Sequence, residues 1–334
     1  MATPLESRRI VIAGASSLLG AELKSLLEES RFAASDFRLV DEESVAGMLT
    51  EAGGEPAVIQ PVEEDSFNKA WIIFFTGSPA FTQRNLEIAK RSGARIVDLS
   101  GELAGTAATQ KWLAGLPESA SAAFKNDTTE FFVPSASAEL IARLTYALSA
   151  INAANFSAIA FQPVSAFGKA GIEELETQTG QLLCFQPTGK AVFDTQVAFT
   201  MLDRFGPASS QKLPESLDRL RQEIRACLVA NLRMPSLQLL HAPVFYGATV
   251  TACATIDPAA DSTRIVRLCA AAGFTITSDD PAPSNVSSAG ETLLQLAPPK
   301  PDPAAPGTWW FWAAADNMRL PAANAIKLAE RLLA

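Results

Sequence analysis

Arg9-Ile-Val-Ile-Ala13, then Gly14-Ala-Ser-Ser-Leu-Leu-Gly20, then Ala21-Glu-Leu-Lys-Ser-Leu-Leu-Glu-Glu29 decide the fold. The first run is short, apolar and rich in β-branched residues, as a strand buried on both faces must be. The last carries leucines at helical spacing. A glycine turn joins them. Strand, glycine turn and helix in that order form the context in which a dinucleotide fingerprint carries weight. Gly14 allows a tight turn and Gly20 allows the helix to approach the strand closely. The helix start offers unpaired N–H groups to a pyrophosphate. Ser17 stands where the middle glycine of such a loop is usual. The competing reading is a purely structural strand–helix turn.

The same alternation continues outward. Phe37-Arg-Leu-Val40 reads as a second strand, ending at Asp41. An acidic residue at that distance from the glycine loop binds a ribose 2′-hydroxyl in dinucleotide sites; a solvated loop carboxylate within Asp41-Glu-Glu43 is the equal alternative. No arginine follows closely to hold a 2′-phosphate, so NAD is expected ahead of NADP. Trp71-Ile-Ile-Phe-Phe75 is the next strand and leads to Thr76-Gly-Ser-Pro79. A helix over 85–91 and a strand from Arg95-Ile-Val-Asp-Leu-Ser100 follow. The expectation is a mostly parallel sheet with right-handed crossovers, and ligands at the ends of its strands.

Residues 130–133 form one more strand. A helix over 135–149 then opens with Ser135-Ala136-Ser137. The start of such a helix is a good place to lower a thiol pKa, yet position 136 holds a methyl group. The two serines read as N-caps.

The second half, from about residue 150, mixes strands with helices. Strands are expected over 156–164, 241–256, 274–277 and 309–315. Helices are expected over 172–183, 217–232, 265–272 and 322–333. Segments 279–288 and 297–307 read as Pro-rich loops. That pattern is α+β. Trp309-Trp-Phe-Trp312 reads as core or interface and not as a base-stacking platform, because the chain is acidic.

Bulk composition narrows the function classes. The chain has 334 residues, 48% hydrophobic and 19% charged, with a formal net charge of −9. That balance argues against nucleic acid or an anionic membrane surface as the main partner. No apolar run approaches the roughly 18 residues needed to span a bilayer, and no secretory leader is evident, so a cytoplasmic protein is expected. Cys184, Cys227, Cys253 and Cys269 show no CxxC spacing and read as buried packing thiols; no metal site is expected. His241 is the single histidine, and it reads as a structural core histidine ahead of a relocated base.

Taken together these segments resemble the aspartate-semialdehyde dehydrogenase family, over essentially the whole chain and in order. Residues 14–20 resemble its GATGxxG loop. Pro134-Ser-Ala-Ser137 matches its N-P-N-C-S segment. Phe161-Gln-Pro-Val-Ser-Ala-Phe-Gly-Lys-Ala-Gly-Ile-Glu-Glu-Leu175 matches its YQAVSGAGKAGMEEL block, the longest and most specific element. Gln196-Val-Ala-Phe199 resembles its AFN strand. Ala315-Asp-Asn-Met-Arg319 and Asn324-Ala-Ile-Lys-Leu-Ala-Glu330 resemble its C-terminal ADNLRKGAALNAVxIAE. N-acetyl-glutamyl-phosphate reductase shares the architecture but fits the 162–175 block worse.

The resemblance implies a Rossmann-like dinucleotide-binding domain over 1–134, completed by a C-terminal helix at 316–334. An α+β substrate and dimerisation domain would span 135–315. It also implies a homodimer and a reductive dephosphorylation of an aspartyl phosphate by NADPH through a thioester. That chemistry needs a thiolate nucleophile, a histidine that handles its proton, a glutamine that orients substrate, and arginine for bidentate grip on a carboxylate.

Position by position, few of these parts remain. The cysteine position is Ala136 and the histidine position is Ala248. The arginine opening the RVPVxxGH run is His241. No arginine follows Ser100, and the final-helix lysine is Leu320. Gln162 stands, and Arg219 stands for the lysine of the substrate-domain helix. Gln162, Arg219 and His241 are thus the remnant pocket. The cofactor set implied is Gly14, Ser16, Ser17, Leu18, Leu19, Gly20, Asp41, Gly77, Ser165, Gly168 and Asn324. Two readings follow. One is a non-catalytic relative that binds a nucleotide or another protein as a homodimer. The other is an NAD(P)-dependent oxidoreductase acting on an aldehyde, semialdehyde or other carbonyl by direct hydride transfer.

Overall fold

The computed structural model describes residues 8–52, 55–116, 124–125, 127–229, 231–257, 261–277 and 280–333. The chain divides into two units: Met1–Ala114 with Ala123–Pro134 and Pro321–Ala334, and Gly115–Ala122 with Ser135–Leu320.

In the first unit the elements run β1 (Arg9–Ala13), α1 (Leu18–Glu28), β2 (Asp36–Asp41), β3 (Leu49–Ala52), β4 (Glu55–Val58), β5 (Gln60–Pro61), β6 (Ala70–Phe75), α2 (Pro79–Arg91), β7 (Arg95–Asp98), β8 (Gln110–Lys111) and β9 (Glu130–Phe132). Seven strands make one sheet in the order β5-β2-β1-β6-β7-β9-β8. Every pairing in it is parallel. Parallel strands must be covered on both faces, which is why β1 and β6 are continuous apolar runs. One face packs Ile10, Ile12, Ile72 and Phe74 with Leu23 and Leu27 of α1 and with Ala322, Ala325 and Leu328 of the C-terminal helix; the other packs Val11, Ile73 and Phe75 with Phe81 and Ala89 of α2. β3 and β4 form a separate antiparallel hairpin.

The second unit continues with α3 (Ala136–Ser149), β10 (Ala154–Gln162), α4 (Gly168–Leu183), α5 (Leu213–Cys227), β11 (Ser236–His241), β12 (Ala248–Thr255), α6 (Ser262–Ala271), β13 (Phe274–Ile276), β14 (Leu294–Leu296), β15 (Lys300–Pro301) and β16 (Thr308–Ala315). The C-terminal helix is α7 (Arg319–Arg331). Its sheet runs β11-β10-β12-β16-β14-β13. The helix α3 packs on β10, β12 and β16 and against α5 and α6. It is buried almost all round, as a helix sandwiched between a sheet and other helices must be. Its two internal charges pair with each other: Arg143 is held by Glu139 one turn earlier and donates to the Ala272 carbonyl at 2.8 Å.

Several sequence expectations need correction. Residues 241–256 are not one strand: β11 ends at His241 and β12 begins at Ala248. Pro243 has no N–H to give a ladder, and Gly247 sits at φ +95°, so the chain turns there. Helices start earlier than apolar spacing suggested, because a cap and not the first leucine sets the start: Ser17 for α1, Ser78 before Pro79 for α2, and Asp261 for α6. Within the loop expected over 279–288, residue 279 lies outside the described residues; the loop expected over 297–307 contains β15. Of the cysteines only Cys227 and Cys269 are buried. Burial pushes the Cys269 thiol up to about 12. Cys184 is exposed at the end of α4 beside an exposed Phe185, and Cys253 is half-buried on a sheet face.

Candidate functional site: a glycine loop and a row of side chains across the second sheet

In the first unit the glycine loop is built to tight tolerances. Gly14 lies at φ +92°, and a Cβ there would sit 2.3 Å from the Gly77 nitrogen. A Cβ on Gly20 would meet the Gly14 carbonyl oxygen at 2.5 Å and Thr76 Oγ1 at 2.8 Å. Thr76 Oγ1 in turn donates toward the Gly14 carbonyl at 3.0 Å. The loops after β1 and β6 are therefore locked together through backbone contacts that only glycine permits. Ser17, where the middle glycine was missed, is the N-cap of α1. Its hydroxyl accepts from Gly20 N–H at 2.9 Å and donates to the Thr76 carbonyl at 2.9 Å. The Ser16 N–H goes to Asp41 Oδ2 at 2.7 Å. Among the described residues, the backbone N–H groups of Leu18 and Leu19 have no acceptor, and both residues are partly open to solvent. These are the orphan donors of a helix start and can receive an anion.

Asp41 is not a solvated loop carboxylate. It is the last residue of β2, 6% exposed, and its oxygens accept from the backbone N–H groups of Ser16 and Glu42. Its work is to hold the glycine loop. The next acid past the end of β2 is Glu42, and the fold brings Arg84 of α2 to it in an ion pair. No sequence spacing pointed to that arginine. Asn324, on α7, is buried and its carbonyl accepts from the Trp112 indole at 2.9 Å.

In the second unit topology gathers three of the expected positions. β11 is parallel to β10, with His241 paired to Gln162; β12 is antiparallel to β10 on the other side, with Thr249 paired to Phe161. The turn 242–247 arches over the end of β10, where the Val244 and Phe245 carbonyls accept from Val164 and Ser165. His241, Gln162 and Ala248 thus lie in one row across the sheet. By the two-residue alternation of strands, they share a face with the buried Leu239, Ala160 and Val250, the face on which α3 packs. Ala248 and Ala136, the first residue of α3, are each 1% exposed.

His241 is a core residue, correcting its place in the remnant pocket. It is fully buried among Phe193 and Phe205, with ring centroids 6.1 and 5.6 Å away. Nε2 faces the Val197 carbonyl at 3.4 Å, and Nδ1 has no partner among the described residues. Burial holds its pKa below the ordinary value, against a smaller opposing push from the Val197 carbonyl. A neutral imidazole in an aromatic box grips no carboxylate. Arg219 lies exposed on α5, its guanidinium 3.4 Å from Ser216 Oγ.

Ser165 is buried, and its hydroxyl accepts from Asn317 Nδ2 at 3.0 Å, while Asn317 Oδ1 accepts from Gly247 N–H at 2.7 Å. The pair ties the turn after β10 to the turn before β12. Gly168 opens α4 at φ +73° with open space at its Cβ position.

Sequence reasoning missed two tethers and one site residue. Glu174 accepts from the Phe193 and Val192 N–H groups, and Gln178 holds residues 189, 195, 197 and 198 by their backbone. Glu223 of α5 reaches the start of α3, where Oε2 accepts from Ser135 N–H at 2.9 Å and from Ser135 Oγ–H at 2.6 Å. In the sequence it is one charge among several on a helix face.

Residues 9–127 match the family model described as semialdehyde dehydrogenase, NAD binding domain, and residues 144–320 match that described as semialdehyde dehydrogenase, dimerisation domain. The chain belongs to the semialdehyde dehydrogenase family. Among its relatives are USG-1 protein homologs from Azotobacter vinelandii (28% identical, covering 97% of each chain) and Pseudomonas aeruginosa (25%, covering 100% of this chain and 99% of the relative). Aspartate-semialdehyde dehydrogenase 2 of Vibrio cholerae is 22% identical over 97% of each. The fold is that of a solved structure described as a probable aspartate-semialdehyde dehydrogenase from Pseudomonas aeruginosa, with TM-score 0.85, 24% identity and 98% of each chain covered. Within this semialdehyde dehydrogenase framework, the glycine loop falls inside the NAD-binding match and the row His241, Gln162 and Ala248 inside the dimerisation match. Among the described residues no cluster of His, Cys, Asp or Glu has the makings of a metal site.

Proposed function

We propose that this member of the semialdehyde dehydrogenase family works by binding, as a homodimer that takes a nicotinamide dinucleotide and performs no thioester chemistry. The observation that carries the reading is the pair of buried methyl groups at Ala136 and Ala248, where the family's chemistry needs a thiol and an imidazole. No thiol at position 136 means no acyl-enzyme, and losing a nucleophile typically costs several powers of ten in rate. Support for nucleotide binding comes from the loop at 14–20, which keeps free Leu18 and Leu19 amides at a capped helix start. The negative charge of Asp41, Glu42 and Glu43 favours NAD over a 2′-phosphorylated nucleotide.

The homodimer reading rests on the second unit's sheet. Opposite α3, the face carries Phe161, Thr251, Cys253, Trp310 and Trp312. Trp310 and Trp312 are 44% and 37% exposed. Their indole N–H groups are already bound by Asp302 and by the Pro283 carbonyl, so a partner can cover the rings without stranding a buried donor.

Calorimetric titration of the purified protein with NAD, NADP and their reduced forms tests the reading, together with an assay of aspartate semialdehyde, phosphate and NAD(P). Binding of NAD without turnover is expected. Turnover in that assay sinks the non-catalytic reading, and hydride transfer to any carbonyl from a panel replaces it with the direct-transfer oxidoreductase.

A further inference from the structure

The polar contacts of His241, the single histidine of the chain, run to one segment, 192–209. Its N–H donates to the Leu202 carbonyl at 2.8 Å and its carbonyl accepts from Leu202 N–H at 3.3 Å, an isolated antiparallel bridge at the end of β11. Its ring packs on Phe193 and Phe205, and Phe167 meets the same two phenyl rings edge-on. Of the two ring nitrogens only Nε2 has an oxygen in reach, the Val197 carbonyl, so the one proton of a neutral ring belongs there.

That segment hangs between two supports. On the α4 side, Glu174 accepts from the Val192 and Phe193 N–H groups, and Gln178 holds the Thr195 carbonyl and the Val197 and Ala198 N–H groups. On the sheet side, the hydrogen bonds among the described residues are those of His241. The segment also carries backbone strain: Asp194 and Phe199 sit at φ +51° and +58°, a cost that persists only where surrounding contacts hold it. A strained segment with few attachments opens at lower cost than the sheet beneath it. No charged side chain offsets a proton on the ring. β10 carries no charge, and β11 none besides His241. In the segment, Asp194 accepts from Ala208 N–H, and Asp203 pairs with Arg204 in solvent. On the helices, Glu174 is taken up by the segment's backbone, Glu139 pairs with Arg143, and Glu223 accepts from Ser135; the remaining charges of α4 and α5 lie exposed.

We propose that His241 is an acid-sensitive latch: neutral, it docks segment 192–209 on the end of β11, and protonated, it leaves its aromatic box and lets the segment lift away from β11 on its α4 tethers. Lifting uncovers Phe193, Phe205 and the end of the sheet where His241 stands beside Gln162. The sign follows from burial. The closed segment holds the ring below its ordinary value of 6.5, and the open segment returns it to that value. The closed form is therefore fully favoured above pH 6.5. Opening gains up to tenfold for each pH unit below it, until the closed ring's own value is reached.

Hydrogen exchange of the full chain at pH 7.5 and pH 5.5, corrected for the intrinsic rate at each pH, reads the latch through the Leu202 and His241 amides. Both are expected to be less protected than the Ala160 and Val250 amides of the same sheet, and to lose protection about tenfold between the two pH values. That window stays above the range in which ordinary carboxylates titrate, so the change belongs to the imidazole. His241→Phe suits the aromatic box and keeps the main-chain bridge, and it is expected to make protection equal at the two pH values. Equal protection in the unaltered chain overturns the proposal. So does protection matching that of Ala160 and Val250, because the segment would then open only with the whole sheet. Neither comparison needs a variant to fold. A single histidine also gives unambiguous ring nitrogen signals by NMR. A neutral ring with its proton on Nε2 is expected at pH 7.5; a proton on Nδ1, or a charged ring, overturns the latch. No readout involves a nucleotide or turnover, so failure here is separable from failure of the binding role.

Discussion

The glycine loop of the first unit and the row His241, Gln162 and Ala248 of the second are both placed by their sheets, yet they differ in which atoms would do their work. In the loop, the groups that matter are backbone: a positive φ at Gly14, a 2.3 Å limit at Gly77, and the Leu18 and Leu19 amides. Altering them breaks the fold. In the row, topology supplies the placement and side chains supply the chemistry. Alanine at the first position of α3 suits a helix, and alanine at the first position of β12 is buried in the sheet, so neither methyl group is at odds with the fold. A site whose function is backbone is protected by stability; a site whose function is side chain is not.

The sharpest way to break that contrast is to substitute both sides. Gly14→Ala is expected to cost about 3 kcal/mol or more in denaturant unfolding, because it adds strain at positive φ to a backbone clash. Ala136→Cys should change stability by well under half of that. A Gly14→Ala protein of unaltered midpoint would mean that the loop is not locked, and the contrast would fall.

A second handle is the imidazole. His241 is buried with its folded pKa below the unfolded value of 6.5. As pH falls below 6.5, the unfolded chain takes up a proton that the folded chain refuses, so stability drops with falling pH until the folded pKa is reached. The limiting slope is about 1.4 kcal/mol per pH unit. His241→Phe, which suits the aromatic box, should remove that slope between pH 6.5 and 5.5 while leaving the glycine loop's nucleotide affinity intact. An unchanged slope in the variant would mean that the imidazole is not the neutral core group described.

The two regions also differ in how far they could be read from the sequence. The loop was legible because its determinants are local: a β-branched run, glycines at fixed spacing, leucines at helical period. The start of α3 was legible for the same reason. What lay beyond reach was placement by distant elements. An apolar stretch with one proline and one glycine read as a single strand, so the arch over β10 that sets His241 beside Gln162 was missed. Exposure of Cys184 depends on where α4 ends against the rest of its unit. Glu223 and Arg84 gain their meaning only from what they meet, 88 and 42 residues away in the chain.

Arg84 offers the finest discrimination. Spacing alone left the ribose end of the loop purely acidic, yet the ion pair puts a guanidinium beside Glu42, with both side chains about half exposed. Exposed pairs are worth little, about 0–1 kcal/mol, so the carboxylate is readily dispensable. Glu42→Ala removes one negative charge and frees a residue suited to bidentate grip on phosphate. The expected outcome is a shift of about threefold in the ratio of NADP to NAD affinity, in favour of NADP, by calorimetry, a change of the size such a pair allows. Arg84→Ala should move the ratio the other way. If neither substitution moves it while NAD still binds, the nucleotide's ribose does not lie at the end of β2, and the loop's free amides would have to serve an anion in another orientation. That outcome would leave the loop a binding element but take from Glu42 and Arg84 any part in choosing what it binds.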